Sequence, residues 1–132
     1  MRIFVTGGSG LTGPAVVAEL INAGHEVIGL ARSDVSAARL NALGAAVHRG
    51  SLEDLDSLRT GAEAADAVVH MAFLNDFSDL EQLKRVDRAA NQTLGAALEG
   101  SDRPLVSTSG TLVMPAGRVS TEDAQNTGSW RR

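Results

Sequence analysis

A glycine-rich stretch near the start of the chain is the first feature that could do chemistry. It reads TGGSGLTG over residues 6–13, directly after a short apolar run, with glycines at 7, 10 and 13. Gly7 can make a tight turn, Gly10 leaves room for a pyrophosphate against the main chain, and Gly13 lets a following helix pack closely. The free N–H groups of that helix would then face the phosphates. The alternative is an ordinary glycine-rich turn, but the strand-turn-helix context favours a dinucleotide site.

The residues after the second apolar run could distinguish the two nicotinamide dinucleotides. The sequence there is GLARS, over residues 29–33. A carboxylate at this place hydrogen-bonds the ribose 2′-hydroxyl of NAD, whereas an arginine accommodates the 2′-phosphate of NADP. Arg32 stands there, and a guanidinium matches a phosphate with two parallel hydrogen bonds, which favours NADP. Two alternatives stay open: Arg32 as a solvated surface arginine, and Asp34 as a carboxylate that selects NAD.

Both segments belong to an alternation of short apolar runs and amphipathic stretches. The apolar runs predict strands at residues 2–6, 26–30, 45–48, 66–71 and 105–107. Helical periodicity predicts helices over residues 11–23, 33–43 and 55–61 and from a capping-box pattern at Ser78 to Gly100. Ser33 or Asp34, and Asp54, are further candidate N-caps. Most strands lack polar alternation, so we expect a doubly wound α/β fold, a Rossmann-like parallel sheet of about five strands with helices on both faces.

Composition limits the classes of function. The chain has 132 residues, enough for one domain, and no cysteine, which excludes a disulfide framework and a thiolate metal site. No apolar run approaches the roughly 20 residues of a membrane span, and no secretion signal is visible. A net charge of −4 argues against nonspecific nucleic-acid binding. The acidic cluster at residues 53–56 has no histidine at ligand spacing. We therefore expect a cytoplasmic protein without a metal site and without nucleic-acid or membrane partners.

The glycine stretch TGGSGLTG resembles the TGxxGxxG fingerprint of the short-chain dehydrogenase/reductase superfamily, most of all its extended and atypical, epimerase/dehydratase-like branch. AGHEVIGLARS is similar to the second strand of that branch, RGSLEDLDSL to its third strand and following loop, DAVVHMAF to its fourth strand and RPLVSTSGT to its fifth. Each piece alone is loose, but five in the right order are specific, and together they cover nearly the whole chain. The resemblance implies an oxidoreductase that moves a hydride between a nicotinamide and a small carbonyl or alcohol substrate.

The resemblance also implies which residues contact the dinucleotide. Ser51 and Leu52 match the place where family members carry an aspartate and a hydrophobic residue beside the adenine, so Ser51 is a departure that weakens the contact with the adenine amino group. Residues 71–73 match the loop that lines the ribose and the nicotinamide. The complete set of expected cofactor contacts is Thr6, Gly7, Gly8, Ser9, Gly10, Leu11, Thr12, Gly13, Arg32, Ser33, Ser51, Leu52, Met71, Ala72, Phe73 and Ser107.

The catalytic machinery of the family is only partly present. Family members orient the substrate with a Ser or Thr after the fifth strand. Residues 107–109 match this place, with Ser109 the best candidate, and Thr111 could reach a cofactor-side group; alternatively, these hydroxyls satisfy the backbone at a strand end. The Tyr-x-x-x-Lys pair that does the proton work is absent, because the chain has no tyrosine and its only lysine is Lys84, in the long helix. His70 is expected to fill a strand end. Either the chain is a piece of a longer protein, or it resembles atypical relatives that have lost the pair.

These observations predict the organisation and function of the chain. We expect an NAD(P)-binding Rossmann domain over residues 1–114 and a loop or tail over residues 115–132, without the C-terminal substrate region of the family. The expected function is nicotinamide-dinucleotide binding with hydride transfer if the protein is complete, and a non-catalytic dinucleotide sensor or regulator is the alternative. The edge of the fifth strand would be bare, which predicts a covering by a second copy, by the tail or by domain exchange.

Overall fold

The computed structural model describes residues 1–110 and the single residues 119, 121 and 123. Thr111 and most of the predicted tail at 115–132 lie outside the described residues. The described strands are β1 Arg2–Thr6, β2 Glu26–Ala31, β3 Ala46–Arg49, β4 Ala67–His70 and β5 Leu105–Ser107. The helices between them are α1 Gly13–Asn22, α2 Asp34–Ala42, α3 Leu55–Glu63 and α4 Leu80–Leu98. Every predicted element is present, with ends that differ by one or two residues.

The five strands form one parallel sheet in the order β3-β2-β1-β4-β5. β1 pairs with β2 from Arg2↔Glu26 onward, and on its other side with β4 from Ile3↔Ala67 onward. The strands β2 and β3 therefore follow β1 on one side of the sheet, and β4 and β5 follow it on the other side. Ligands of open α/β sheets bind at the carboxyl ends of the strands where the order reverses. The predicted doubly wound, Rossmann-like fold is confirmed.

Apolar side chains pack in two clusters, one on each face of the sheet. On one face, Val17 of α1 and Leu40 of α2 pack with Val5 of β1. On the other face, Leu94 of α4 packs with Phe4 of β1, and α3 contributes to the same cluster. All five of these side chains are fully buried. Because Phe4 and Val5 are successive residues of one strand, they serve opposite faces, and the central strand is covered on both sides.

Side-chain caps explain where α2 and α3 begin. The Ser33 hydroxyl accepts the N–H of Ser36 at 3.2 Å, and the Ser36 hydroxyl accepts the N–H of Ser33 at 3.0 Å. The Asp54 carboxylate accepts the N–H of Ser57 at 3.2 Å. Such caps satisfy N–H groups that have no partner inside the helix. Of the two predicted caps for α2, Ser33 is therefore the one used.

The predicted capping box at Ser78 is wrong, because Asp79 caps α4 instead. The Asp79 carboxylate accepts the N–H of Gln82 at 2.9 Å. Ser78 stands one residue outside the helix, and its hydroxyl donates to Asp76 Oδ1 at 2.6 Å. Aspartate and serine are about equally good N-caps, so their order in the sequence did not decide between them.

β5 forms one edge of the sheet. Among the described strands it pairs only with β4, and Val106 in its middle is 58% exposed. An edge strand leaves a row of N–H and C=O groups without strand partners. The covering of this edge by a second copy, by the tail or by exchange stays a prediction.

The described residues contain neither a helix suited to span a membrane nor a cluster suited to hold a metal. None of their helices combines the length and the apolar character needed to cross a membrane. No group of three or more of their His, Asp and Glu side chains is arranged to hold a metal ion.

Candidate functional site

A cleft of about 810 Å³ opens at the carboxyl ends of four strands. It lies between the glycine loop after β1, the end of β2, the segment after β3 and the loop after β4. All four segments meet because parallel strands end at the same edge of the sheet. The lining residues are Gly7, Ser9, Gly10, Leu11, Thr12, Leu30, Arg32, Ser36, Gly50, Ser51, Leu52, Glu53, Met71, Ala72, Phe73, Leu74, Asn75 and Asp76.

The glycine loop brings the main chains of several segments into close approach. Gly7 has a φ of 79°, and a Cβ placed on it would lie 2.7 Å from the backbone nitrogen of Ala72. A Cβ on Gly13 would meet the Gly7 carbonyl oxygen and would lie 2.5 Å from the carbonyl carbon of Gly8. Real side chains do not tolerate such distances, so both positions require glycine. The loop after β1 therefore abuts the loop after β4, and α1 starts directly against the turn.

Gly10 differs from these two because a Cβ there would have almost no neighbouring atoms. A Cβ on Gly10 would have only the Gly7 carbonyl oxygen close to it, at 3.2 Å, and Gly10 itself lines the cleft. Its N–H donates to the same Gly7 oxygen at 3.0 Å and so is used within the loop. The cleft surface at this point is bare main chain, which leaves space for a ligand to approach.

The amino end of α1 offers N–H groups that no side-chain cap occupies. Thr12 is the N-cap, but its side chain makes no hydrogen bond to the first turn, where Pro14 also stands. The first N–H groups of a helix have no intrahelical partner, and the aligned peptide dipoles place partial positive charge there. Because Thr12 lines the cleft, this end of the helix can receive an anionic group.

Arg32 is the charged residue that the end of β2 presents to the cleft. Within the described part of the chain it has no ion-pair partner. Ser33 does not line the cleft, and its hydroxyl accepts the N–H of Ser36 as the cap of α2. Asp34 does not line it either, and its Oδ1 accepts a hydrogen bond from Arg49 at 2.6 Å. A phosphate entering this end of the cleft would meet a free guanidinium.

The segment after β3 supplies an apolar surface and one carboxylate. Leu52 is 9% exposed and lines the cleft between Ser51 and Glu53. The Ser51 hydroxyl accepts the N–H of Asp54 at 3.3 Å, so it belongs to the turn that leads into α3. A flat apolar group such as a base could lie against Leu52, with Glu53 beside it.

The loop after β4 forms the opposite wall, through residues 71–76. The ring of Phe73 lies 6.4 Å from that of Phe77, centroid to centroid. Asp76 Oδ1 accepts hydrogen bonds from the Ser78 hydroxyl at 2.6 Å and from the Ser78 N–H at 3.0 Å. These two bonds, the side-chain one above all, hold the pKa of Asp76 below its ordinary value. The wall therefore combines the ring of Phe73 with the carboxylate of Asp76, whose pKa is lowered.

Some residues expected at the site do not line the cleft. The Ser107 hydroxyl donates to Asn91 Oδ1 at 2.8 Å. Ser109, the expected catalytic serine, is exposed beyond the end of β5. Thr6 is fully buried. The expected residues that lie off the cleft surface are Thr6, Gly8, Gly13, Ser33, Ser107 and Ser109, and the structure brings the other expected contacts together.

Several lining residues were not expected from the sequence. Gly50 and Glu53 flank Ser51 and Leu52, so adjacency in the sequence was a sufficient signal for them. Ser36 lies one turn into α2, and it could be found only once Ser33 was known to begin that helix. Leu30 and residues 74–76 complete the unexpected part of the lining.

The chain is similar to known proteins over most of its length. A model of the NAD dependent epimerase/dehydratase family matches residues 3–129. The chain is 44% identical over 124 residues to an uncharacterized protein of Saccharomyces cerevisiae, covering 92% of this chain and 42% of that protein. It is 33% identical over 120 residues to the 4-hydroxy-2-methyl-3-oxo-4-farnesyl-3,4-dihydroquinoline-1-oxide ketoreductase of Stigmatella aurantiaca, covering 89% of this chain and 36% of that enzyme. The chain thus spans about two fifths of the length of these relatives.

Solved structures show the same fold. UDP-glucose 4-epimerase from Bifidobacterium longum, in complex with NAD+ and UDP, superposes with a TM-score of 0.76 at 23% identity, over 97% of this chain and 43% of that one. Yeast methylglyoxal/isovaleraldehyde reductase complexed with NADPH gives a TM-score of 0.71 at 23% identity, over 86% of this chain and 38% of that one. Taken with the family model, the glycine loop and the five-stranded sheet, these likenesses lead to one conclusion. The chain belongs to the NAD-dependent epimerase/dehydratase family.

Proposed function

We propose that this chain binds a nicotinamide dinucleotide in the cleft at the carboxyl ends of the strands. The observation that carries the proposal is Gly10, where the cleft surface is bare main chain and a Cβ would project into the open space. A pyrophosphate needs such a surface next to a helix amino end, and the uncapped first turn of α1 supplies that end. The residues present therefore fit the group.

The remaining contacts follow from the order of segments around the cleft. Leu52 would lie under the adenine, with Glu53 available to its polar edge. The loop of residues 71–73 would line the second ribose and the nicotinamide. Arg32, which has no ion-pair partner in the described part, would bind a 2′-phosphate, so we favour NADP over NAD.

We also propose that the reaction of the complete protein is of the oxidoreductase type. A bound nicotinamide would supply or accept a hydride at a carbonyl or alcohol carbon of a small substrate. Ser109 would hydrogen-bond the substrate oxygen. Ser109 does not line the cleft that the described residues form. The name of the Stigmatella aurantiaca relative, a ketoreductase, supports this class of reaction. From these 132 residues alone we expect binding with little or no turnover.

A non-catalytic dinucleotide sensor is the second candidate function. The sequence contains no tyrosine, so the usual proton donor of the family is absent from it. The only lysine, Lys84, lies in α4, and its Nζ is 3.0 Å from Glu81 Oε1 in a surface ion pair. Occupancy of the cleft would then act by changing association with a partner protein.

Calorimetric titration with NADPH and NADH tests the binding proposal. The Gly10→Val variant should lose affinity by about ten-fold or more, because the new side chain stands where the pyrophosphate would lie. The Gly95→Val variant is the matched control, since a Cβ on Gly95 meets nothing within 4 Å and this glycine lies in α4, away from the lining residues. Circular dichroism checks that both variants fold. Equal affinity of the wild type and Gly10→Val for both coenzymes would contradict the proposal.

Turnover separates the two candidate functions. The wild type is mixed with NADPH and a panel of aldehydes and ketones, and NADPH oxidation is followed by absorbance. Steady oxidation with one of these carbonyl compounds supports the oxidoreductase. Tight NADPH binding without oxidation is expected of these 132 residues under both candidate functions, so only oxidation discriminates between them.

A further inference from the structure

Two charged residues next to the ribose end of the cleft form an ion pair. Arg49 Nη2 donates to Asp34 Oδ1 at 2.6 Å. Sheet register explains the contact, because Arg49 is paired with Ala31 at the end of β2, and Asp34 is the first residue of α2 a few residues later. Both side chains are exposed, at 56% for Arg49 and 96% for Asp34. The pair therefore forms on the surface rather than in the core.

The ion pair involves a carboxylate near the end of β2 that does not line the cleft. Asp34 is the carboxylate that follows β2 most closely in the sequence, yet neither it nor Arg49 lines the cleft. Arg32 does line it and has no ion-pair partner among the described residues. The end of β2 thus presents a free cation to a ligand, while the nearby anion is bound to a second cation.

We propose that Arg49 is a specificity-determining residue, which holds the Asp34 carboxylate away from the ribose hydroxyls of a bound dinucleotide. This inference rests on the proposed binding of a nicotinamide dinucleotide and goes beyond it in naming what selects the 2′-phosphate. With Asp34 bound to Arg49, a 2′-phosphate meets Arg32 without a competing anion. Without Arg49, the Asp34 carboxylate is released to accept hydrogen bonds from the 2′- and 3′-hydroxyls of NADH and to repel a 2′-phosphate.

The expected size of the effect follows from the exposure of the pair. Exposed ion pairs contribute little, and their coupling corresponds to about a two- to five-fold change in an equilibrium constant. Salt weakens the attraction between Asp34 and Arg49 further, so the binding should be measured at low ionic strength.

A double-mutant cycle on the full 132-residue chain tests the inference. The dissociation constants of NADPH and NADH are measured by calorimetry for the wild type, Arg49→Gln, Asp34→Asn and the double variant. Arg49→Gln should shift the ratio of the two constants toward NADH by about two- to five-fold. In the Asp34→Asn background the same change should have little effect, since there is no carboxylate to release. Arg39→Gln, which removes an equal charge from α2 away from the lining residues, is the control for net charge.

The outcomes separate the inference from the function on which it rests. An unchanged ratio in Arg49→Gln overturns the inference, and so does an equal shift with and without the Asp34 carboxylate, because Arg49 would then act through its own charge. An equal shift in Arg39→Gln overturns it as well. If the wild type binds neither coenzyme, the proposed function itself fails. Binding of both coenzymes with a shift that depends on Asp34 supports the inference.

Discussion

The hydroxyl oxygen of Thr6 lies 2.6 Å from Nδ1 of His70, and both residues are buried beside the cleft. The same oxygen accepts the N–H of Ala72 at 3.2 Å, and the Thr6 carbonyl accepts the N–H of Met71 at 3.1 Å. Thr6 directly precedes Gly7, so these bonds connect the glycine loop to the loop after β4. A residue that lines no part of the cleft thus fixes the distance between two of its walls.

Replacing Thr6 by valine should destabilise the fold. Valine keeps the shape of the side chain but removes the hydroxyl, which leaves the His70 nitrogen and the Ala72 N–H without this partner. A lost hydrogen-bond partner at a buried site costs about 1–3 kcal/mol in the free energy of unfolding. Denaturant unfolding of Thr6→Val measures the cost, and Thr6→Ser, which keeps the hydroxyl, should lose less. Equal stability of Thr6→Val and the wild type would contradict this account.

Arg103 joins the carboxyl ends of α3 and α4. Its guanidinium donates to the carbonyl oxygens of Ala62 at 3.1 Å, Ala65 at 3.0 Å and Ala97 at 2.8 Å. Carbonyl groups at helix ends lack intrahelical partners and carry partial negative charge, which a cation stabilises. Arg103→Met keeps the apolar stem and removes the donors, so it should lower the free energy of unfolding by about 2–3 kcal/mol.

Thermal or denaturant unfolding measures the effect at Arg103 against a matched variant. Arg85 is exposed on α4 and makes no ion pair with any described residue. Arg85→Met should therefore change the stability by less than about 0.5 kcal/mol. If the two variants unfold alike, the helix-end contacts of Arg103 do not stabilise the fold.

The parts of this molecule that the sequence predicted are those with local causes. The turn at Gly7 and the start of α1, which was predicted at residue 11 and lies at Gly13, depend on residues within one short segment. The alternation of apolar runs likewise predicted each strand and helix. The exception among local features is the cap of α4, where Ser78 and Asp79 are adjacent and chemically similar.

The contacts that the sequence could not predict join residues far apart in the chain. Thr6 and His70 are 64 residues apart, and Arg103 meets Ala62 across 41 residues. Such pairs are brought together by strand register and helix packing, which no local pattern encodes. The Asp34–Arg49 ion pair is another such contact, since strand register places Arg49 beside the start of α2.

Two helical glycines should respond in opposite ways to the same substitution. A Cβ on Gly61 in α3 would lie 2.6 Å from Cε2 of Phe4, whose ring is fully buried, whereas a Cβ on Gly95 in α4 meets nothing within 4 Å. Overpacking a core costs about 1–3 kcal/mol, so Gly61→Ala should destabilise by that amount. Gly95→Ala should stabilise by about 0.5–1 kcal/mol, because alanine is the better helix former. Unfolding free energies of the two variants check both signs, and a stable Gly61→Ala would mean that α3 moves freely against β1.

The pKa of the Asp76 carboxylate on the cleft wall should depend on its hydrogen bonds with Ser78. Its hydrogen bonds with Ser78 lower its pKa from the ordinary 3.8, the hydroxyl contributing more than the N–H. A group whose folded pKa is lowered stabilises the fold above its unfolded pKa, and this contribution is lost as the pH falls through the folded value. Ser78→Ala removes the larger cause and keeps the N–H, so the pKa of Asp76 should rise but stay below the ordinary value.

Carbon NMR of the Asp76 carboxyl group, titrated through the acid range, measures this pKa in the wild type and in Ser78→Ala. Ser101→Ala is the matched control, since the Ser101 hydroxyl donates to the Leu98 carbonyl at 2.6 Å and has no contact with Asp76. That variant should titrate like the wild type. An Asp76 titration curve that is the same in Ser78→Ala as in the wild type would show that the hydroxyl does not hold the carboxylate in solution.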